Sequence, residues 1–262
     1  MLRHVAVIIL MLVVAPLQAA VVGKEVSYRS GDTEMKGYLA YDDAVNGKRP
    51  GILVVHEWWG LNNYARKRAD MLAALGYTAL ALDMYGGGKT ADHPEDAGKF
   101  SGAVRSNLDL MQARFNAARE FLNSQETVDP EKNAAIGYCF GGSVVLGMAR
   151  IGADLDGVVS FHGGLGGLPP VTGKVTARVL VANGADDPFN NADTLASFTK
   201  DMALAGGYFE LINYPGAQHA FTNPGADALG EKFNLPLKYN AAADRDSWQK
   251  MQTFLASIFA AD

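Results

Sequence analysis

Gly137-Tyr138-Cys139-Phe140-Gly141-Gly142 is the stretch on which the reading of this chain turns. Residues 134–138 before it form a short apolar run of the kind a buried strand requires, and a helix is expected to open at Phe140. A turn this tight between strand and helix forces its central residue into a strained backbone conformation. The positions two before and two after must therefore carry no side chain, and Gly137, Gly141 and Gly142 meet that demand. The central side chain is also aimed at the N-terminus of the following helix, where unpaired N–H groups favour a thiolate. Cys139 is thus a candidate nucleophile in a G-x-C-x-G setting.

Outward from this turn, strand and helix patterns alternate from about residue 24 to the end. Residues 24–29 and 36–41 read as two short antiparallel strands. Residues 51–56 are nearly all apolar, as in a strand buried on both faces. Leu61, Ala65, Ala69 and Leu72 mark a helical face that ends at Gly76, and residues 77–82 form the next strand. Residues 84–104, rich in Gly and charge, are expected to be a long loop with a short helix. Leu108, Met111, Phe115, Ala118 and Leu122 then recur at helical spacing. Asp129-Pro130 is expected to interrupt the chain before strand 134–138. Strands 157–161 and 178–182, helix 194–205, strand 208–214 and a closing helix through Trp248, Met251, Leu255 and Phe259 complete the pattern. The alternation implies an α/β class fold: a mostly parallel central sheet with helices on both faces.

The chain has 262 residues, 48% hydrophobic and 19% charged, enough to bury a sizeable core. Its net charge of −5 and its lack of any Lys/Arg block exclude a nucleic-acid partner. Residues 1–20 read as a secretory signal peptide: Met1-Leu2-Arg3-His4, ten apolar residues from Val5 to Val14, then small residues with cleavage after Ala19 or Ala20. The run is too short to span a membrane, and no Cys follows it to hold a lipid. The chain is therefore expected to be exported, to a bacterial periplasm or the medium, with no stable membrane anchor, and residues 21–262 to form one domain. Cys139 is the only cysteine, so no disulfide forms within the chain. Packing is the ordinary fate of a lone Cys; the Gly-flanked turn argues for reactivity instead.

A thiol nucleophile needs a base, and the base an orienting acid, here in the chain order nucleophile, acid, base. Gly184-Ala185-Asp186-Asp187-Pro188 follows strand 178–182, and Gly216-Ala217-Gln218-His219-Ala220-Phe221 follows strand 208–214. Both lie past the C-terminal end of a strand, where open α/β sheets bind ligands. Asp187 is the preferred acid, with Asp186 the alternative, and His219 is the base. Of the remaining histidines, His4 lies in the signal and His93 in a charged loop, while His56 and His162 end strands and could line a cleft. Gly88-Lys89-Thr90 ends like a phosphate loop but has Asp83 where the leading Gly belongs, and no Cys or His cluster suggests a metal.

Four segments together resemble the dienelactone hydrolase family: His56-Glu57-Trp58-Trp59-Gly60-Leu61-Asn62-Asn63, Gly137 to Gly142, Asp187-Pro188-Phe189, and Gln218-His219-Ala220-Phe221-Thr222-Asn223-Pro224. The late Ala241-Ala242-Ala243-Asp244-Arg245-Asp246-Ser247-Trp248 is similar to the family as well. The resemblance implies an α/β-hydrolase fold and a Cys139-His219-Asp187 triad. It implies a buried Glu57 that manages the resting thiol's proton, and an oxyanion hole from the backbone N–H groups of Phe140 and Trp58. The family's archetypes carry an Arg four residues after the catalytic His, where this chain has Asn223. That Arg grips a substrate carboxylate, so dienelactone itself is not the expected substrate; Arg105 and Arg245 are the only replacements suggested. Trp59, Phe161, His162 and Asn223 are expected pocket residues. The expected activity is hydrolysis of a lactone or small carboxylic ester through a thiol ester, with no cofactor. A thioesterase, a general carboxylesterase or a non-catalytic binding protein are the alternatives. A monomer or a dimer is compatible with the sequence.

Overall fold

The protein is described here by a computed structural model covering residues 21–260; the expected signal segment, residues 1–20, lies outside them. Eight strands form one sheet: β1 (Val21–Ser30), β2 (Thr33–Asp42), β3 (Arg49–Val55), β4 (Thr78–Leu82), β5 (Val128–Tyr138), β6 (Gly157–Phe161), β7 (Arg178–Gly184) and β8 (Phe209–Tyr214). Their spatial order is β1-β2-β4-β3-β5-β6-β7-β8. The hairpin β1–β2 is antiparallel and joins β4 antiparallel, while every pair from β4 to β8 is parallel. Seven helices complete the described residues: α1 (Asn63–Ala73), α2 (Pro94–Arg105), α3 (Leu108–Asn123), α4 (Phe140–Arg150), α5 (Ala192–Leu204), α6 (Ala226–Phe233) and α7 (Ala241–Phe259).

Strand alternation splits the core into two layers. Leu53 and Val55 of β3 pack with Phe115 and Leu122 of α3 and Val144 and Met148 of α4. Ile52 and Val54, pointing the other way, pack with Ala65, Ala69 and Leu72 of α1 and with Met251 and Leu255 of α7. The expected helices on both faces are therefore present. Among the described residues no helix is long and apolar enough to cross a membrane.

The short helix expected within residues 84–104 is α2, twelve residues long, in the second half of that stretch. His93 caps it, its Nδ1 accepting from the Glu95 N–H at 3.3 Å, and Pro94 occupies the first turn, where a missing N–H costs nothing. Asp129-Pro130 lies inside β5 rather than before it. The pairing jumps from Pro50↔Asp129 to Gly51↔Asn133, so Pro130 sits in the irregularity and removes no ladder bond. Helix α6, unanticipated, follows the His219 loop. The Gly86-Gly87-Gly88 turn proves to be structural, wrapped around a buried acid. The N–H groups of Tyr85, Gly86 and Gly88 converge on the Asp83 carboxylate at 2.7, 2.8 and 2.8 Å.

The turn after β5 is packed tightly against backbone. A Cβ on Gly137 would lie 2.0 Å from the Gly141 carbonyl oxygen, whereas one on Gly98, inside α2, would meet nothing within 4 Å. Gly137→Ala is accordingly expected to lose about 3 kcal/mol or more of stability in urea denaturation. Gly98→Ala gains roughly 0.5–1 kcal/mol by the loss of backbone freedom in the unfolded chain. Equal effects at the two positions would refute this account of the turn.

Candidate active site

From β3 the chain passes to β4 on one side, and from β5 onward it builds the other side, so the strand order reverses between β3 and β5. A crevice opens at such a reversal, outside the carboxyl ends of the strands. Glu57 and Trp58 follow β3 there, Cys139 follows β5, Asp187 follows β7 and His219 follows β8.

Cys139 sits at φ 53°, ψ −113°, a conformation a non-glycine residue holds only when its surroundings impose it. The imposition is visible. The Gly141 N–H donates to the His56 carbonyl at 3.1 Å, the Cys139 N–H donates to the Phe161 carbonyl at 3.0 Å, and a Cβ on Gly141 would lie 2.2 Å from the Val55 oxygen. The half-buried thiol stands at the start of α4. Among the described residues no acceptor takes the N–H of Phe140 or of Trp58, so both remain free to donate to a bound anion.

Asp187 and His219 meet as their chain order suggests. The His219 Nδ1 lies 2.8 Å from Asp187 Oδ2, and Asp187 Oδ1 accepts from the Phe189 N–H at 2.9 Å. Asp187 is buried, while Asp186 beside it is exposed; of the two, Asp187 meets His219. With Nδ1 committed to Asp187, Nε2 is the nitrogen left to serve Cys139, which lines the same cavity. Burial would push the imidazole toward neutrality. Cys139 and Asp187 together outweigh it and raise His219 to about 10. The ring of Phe189, more than half exposed, sets its edge on His219 with centroids 4.8 Å apart.

Glu57 is buried beneath this pair, where Asn223 Nδ2 donates to its Oε2 at 2.7 Å. Burial raises its carboxyl to about 7, against the opposing pull of Asn223, His219 and Arg68. Arg68 is itself buried, paired to Asp244 at 2.6 Å and packed over the rings of Tyr64, Tyr138 and Trp248. The late Asp244–Trp248 segment thus serves as an anchor for Arg68, behind the site.

A cavity of about 240 Å³ opens over Cys139 and His219, walled by Trp58, Phe189, Leu235 and Leu237, with Arg105 at its rim. Four expected pocket residues are corrected. Trp59 packs away against Phe233, at 6.0 Å, among Ala91 and Ala97. Phe161 stacks on Tyr138 at 4.8 Å in the layer beneath α1 and α7, across the sheet from the cavity. His162 is fully buried under the site. Asn223 does not line the cavity either; its amide is committed to Glu57. His56 is structural, its Nδ1 bonded to the Glu57 carbonyl at 2.5 Å and its Nε2 accepting from the Met84 N–H at 3.2 Å. Arg105 does reach the site, over the Phe140 ring at 5.4 Å, whereas Arg245 stays on the surface. Leu235, Leu237 and Asn190 belong to no motif. Asn190, whose amide donates to the Gly163 carbonyl at 2.8 Å and to Asn183 Oδ1 at 2.9 Å, braces the acid's loop. Among the described residues no group of three or more His, Cys, Asp or Glu could hold a metal.

A model of the dienelactone hydrolase family matches residues 35–259. The protein usf of Aquifex pyrophilus is 29% identical over 88% of this chain and 97% of its own. A dienelactone hydrolase-like promiscuous phosphotriesterase from metagenomic libraries is 34% identical, covering 91% of this chain and 99% of that one at a TM-score of 0.85. A structure described as m3DLH is 36% identical over the same shares, at 0.86.

The elevated Glu57 carboxyl carries a stability signature. The folded protein keeps a proton there from about pH 4.5 to about 7 that the unfolded chain releases, so stability falls as pH rises through that window. The loss amounts to about 3 kcal/mol for a shift of this size. Glu57→Gln keeps the Asn223 bond and removes the loss, so its stability relative to wild type rises between pH 5 and pH 8 in urea melts. A pH-independent difference would contradict a buried, proton-holding Glu57.

Proposed function

The chain belongs to the dienelactone hydrolase family and is a carboxylic ester hydrolase, and from that premise we propose that Cys139 is its nucleophile, His219 its base and Asp187 the acid that orients the base. The observation that carries this reading is the hydrogen bond of His219 to the buried Asp187, with Cys139 and His219 lining one cavity. In the resting pair His219 holds the Cys139 proton on Nε2, and Sγ attacks the substrate carbonyl carbon. The resulting oxyanion accepts from the Phe140 and Trp58 N–H groups. His219 returns the proton to the leaving oxygen, the C–O bond breaks and a thiol ester remains. Water, deprotonated by His219, then attacks that carbonyl, and cleavage of the C–S bond releases the acid and restores the thiol. Glu57, buried with its carboxyl near neutrality, stores a proton beside His219. No step requires a cofactor.

The substrate class is a lactone or small carboxylic ester. Trp58, Phe189, Leu235 and Leu237 suit an apolar acyl or alcohol portion, and the uncharged Asn223 leaves no cation four residues past His219. A thioesterase specificity on the same machinery is the second reading, favoured by the width of this apolar wall; family membership sets aside a purely binding role. A panel of p-nitrophenyl esters, lactones and acyl thioesters ranks these by kcat/KM. Cys139→Ala is expected to lower kcat on p-nitrophenyl acetate by roughly a thousandfold or more. Wild-type enzyme quenched in turnover should show one acyl group on Cys139 by peptide mass. Undiminished turnover in Cys139→Ala would end the proposal.

Export is proposed on the charge and apolar run of residues 1–20. The mature protein recovered from a periplasmic fraction should begin at Ala20 or Val21 by intact mass; a full-length mass there would count against it.

A further inference from the structure

We infer that His162 is a positioning residue: a neutral strut that ties the backbone of the nucleophile to the loop that carries the base. The inference rests on reading Cys139 and His219 as the reacting pair. His162 follows β6 at φ 40°, a strained conformation for a side-chain-bearing residue, and is held there by its own N–H on the Ala182 carbonyl at 2.8 Å. Its ring joins two otherwise separate parts of the site. Nδ1 lies 3.1 Å from the Cys139 N–H, a proton it shares with the Phe161 carbonyl at 3.0 Å, and Nε2 lies 2.7 Å from Thr222 Oγ1. Thr222 stands three residues after His219.

The donor and acceptor roles follow from the chemistry. An amide N–H only donates, so Nδ1 accepts, and the ring proton sits on Nε2 and goes to Thr222. A charged imidazolium has no acceptor nitrogen and would lose the Cys139 bond. The cations around the ring favour the neutral form: His219, centroid 5.4 Å away, and the buried Arg68, while Tyr64 and Tyr138 are un-ionised phenols. Burial and those cations hold His162 well below the usual imidazole range.

The far end of the strut is fixed in turn. Thr222 Oγ1 is 2.6 Å from the Tyr64 hydroxyl, and the Thr222 carbonyl accepts from Arg68 Nη2 at 2.7 Å. The turn closes through the Asn223 N–H on the Ala220 carbonyl at 2.9 Å. The separation of Sγ from the imidazole of His219 is therefore set through one rigid ring bonded at both ends. Displacing such a pair by about 1 Å costs on the order of a hundredfold in rate.

The test uses the full chain, His162→Asn, Thr222→Val and the double variant. Asn tolerates a positive φ and can still accept from Cys139, but it is too short to reach Thr222. Thr222→Val removes the other end and leaves residue 162 alone. Iodoacetamide labelling of Cys139, the only cysteine, is followed by mass from pH 5 to 9. Each single variant should label roughly tenfold more slowly at pH 7, with half-maximal labelling moved to higher pH, and lose about 10- to 100-fold in kcat on p-nitrophenyl acetate at nearly constant KM. The double variant should be no worse than either single, since both cut one link. Wild-type labelling curves in the single variants overturn the inference, as do additive losses, or lowered thermal stability with unchanged labelling. If wild-type Cys139 itself resists labelling, the underlying reading of the nucleophile fails instead. If His162→Asn does not fold, Thr222→Val alone decides.

Discussion

One close approach governs this site: the backbone of the Cys139 turn lies against the end of β3 with no side chain between them. The Gly141 N–H on the His56 carbonyl and the missing Cβ at Gly141 are two aspects of the same contact. Parallel pairing of Val55 with Gly137 delivers the two strand ends together. Because they end side by side, Glu57, Trp58, Cys139 and Phe140 become neighbours although about 80 positions of sequence separate them. Backbone strain at Cys139 is the cost of this arrangement, and it is met by packing that leaves the turn no alternative.

The groups around that contact are buried and polar, a combination tolerated only when nearly every one has a partner. His56 uses both ring nitrogens on backbone, Asn190 uses both ends of its amide, and Arg68 is divided among a carbonyl, a carboxylate and three rings. Each pairing pins a loop that would otherwise be free. The site is built from loops, yet its geometry is set by groups with few other places to go.

How much of this was legible in the sequence depends on how local each demand is. The Cys139 turn was legible because its backbone restricts residue type at fixed offsets, so Gly137 and Gly141 announce it. The order of Asp187 and His219 was legible because strand ends recur where ligands bind. Asp187 was preferred with Asp186 kept as the alternative, since adjacent residues differ only in which way the turn faces each side chain. Helix α6 was missed because Gly230 weakens its local helical signal. The cavity wall was illegible for a different reason. Leu235 and Leu237 reach it through tertiary approach alone, while Phe161 and Trp59, beside motif residues in sequence, point elsewhere. Proximity along a strand says little when successive side chains take opposite faces.

The solitary cysteine has a consequence beyond hydrolysis. If Cys139 is the nucleophile proposed above, its thiol is also open to peroxide, which converts such a group to a sulfenic acid. Many redox-active proteins recover by condensing that species with a second cysteine nearby. This chain has no second cysteine. Recovery depends on a small external thiol entering past Phe189 and Leu237, and without one a further oxidant equivalent carries Cys139 to sulfinic acid and permanent loss. The working lifetime of the enzyme in an oxidising compartment is therefore set by the supply of reductant around it.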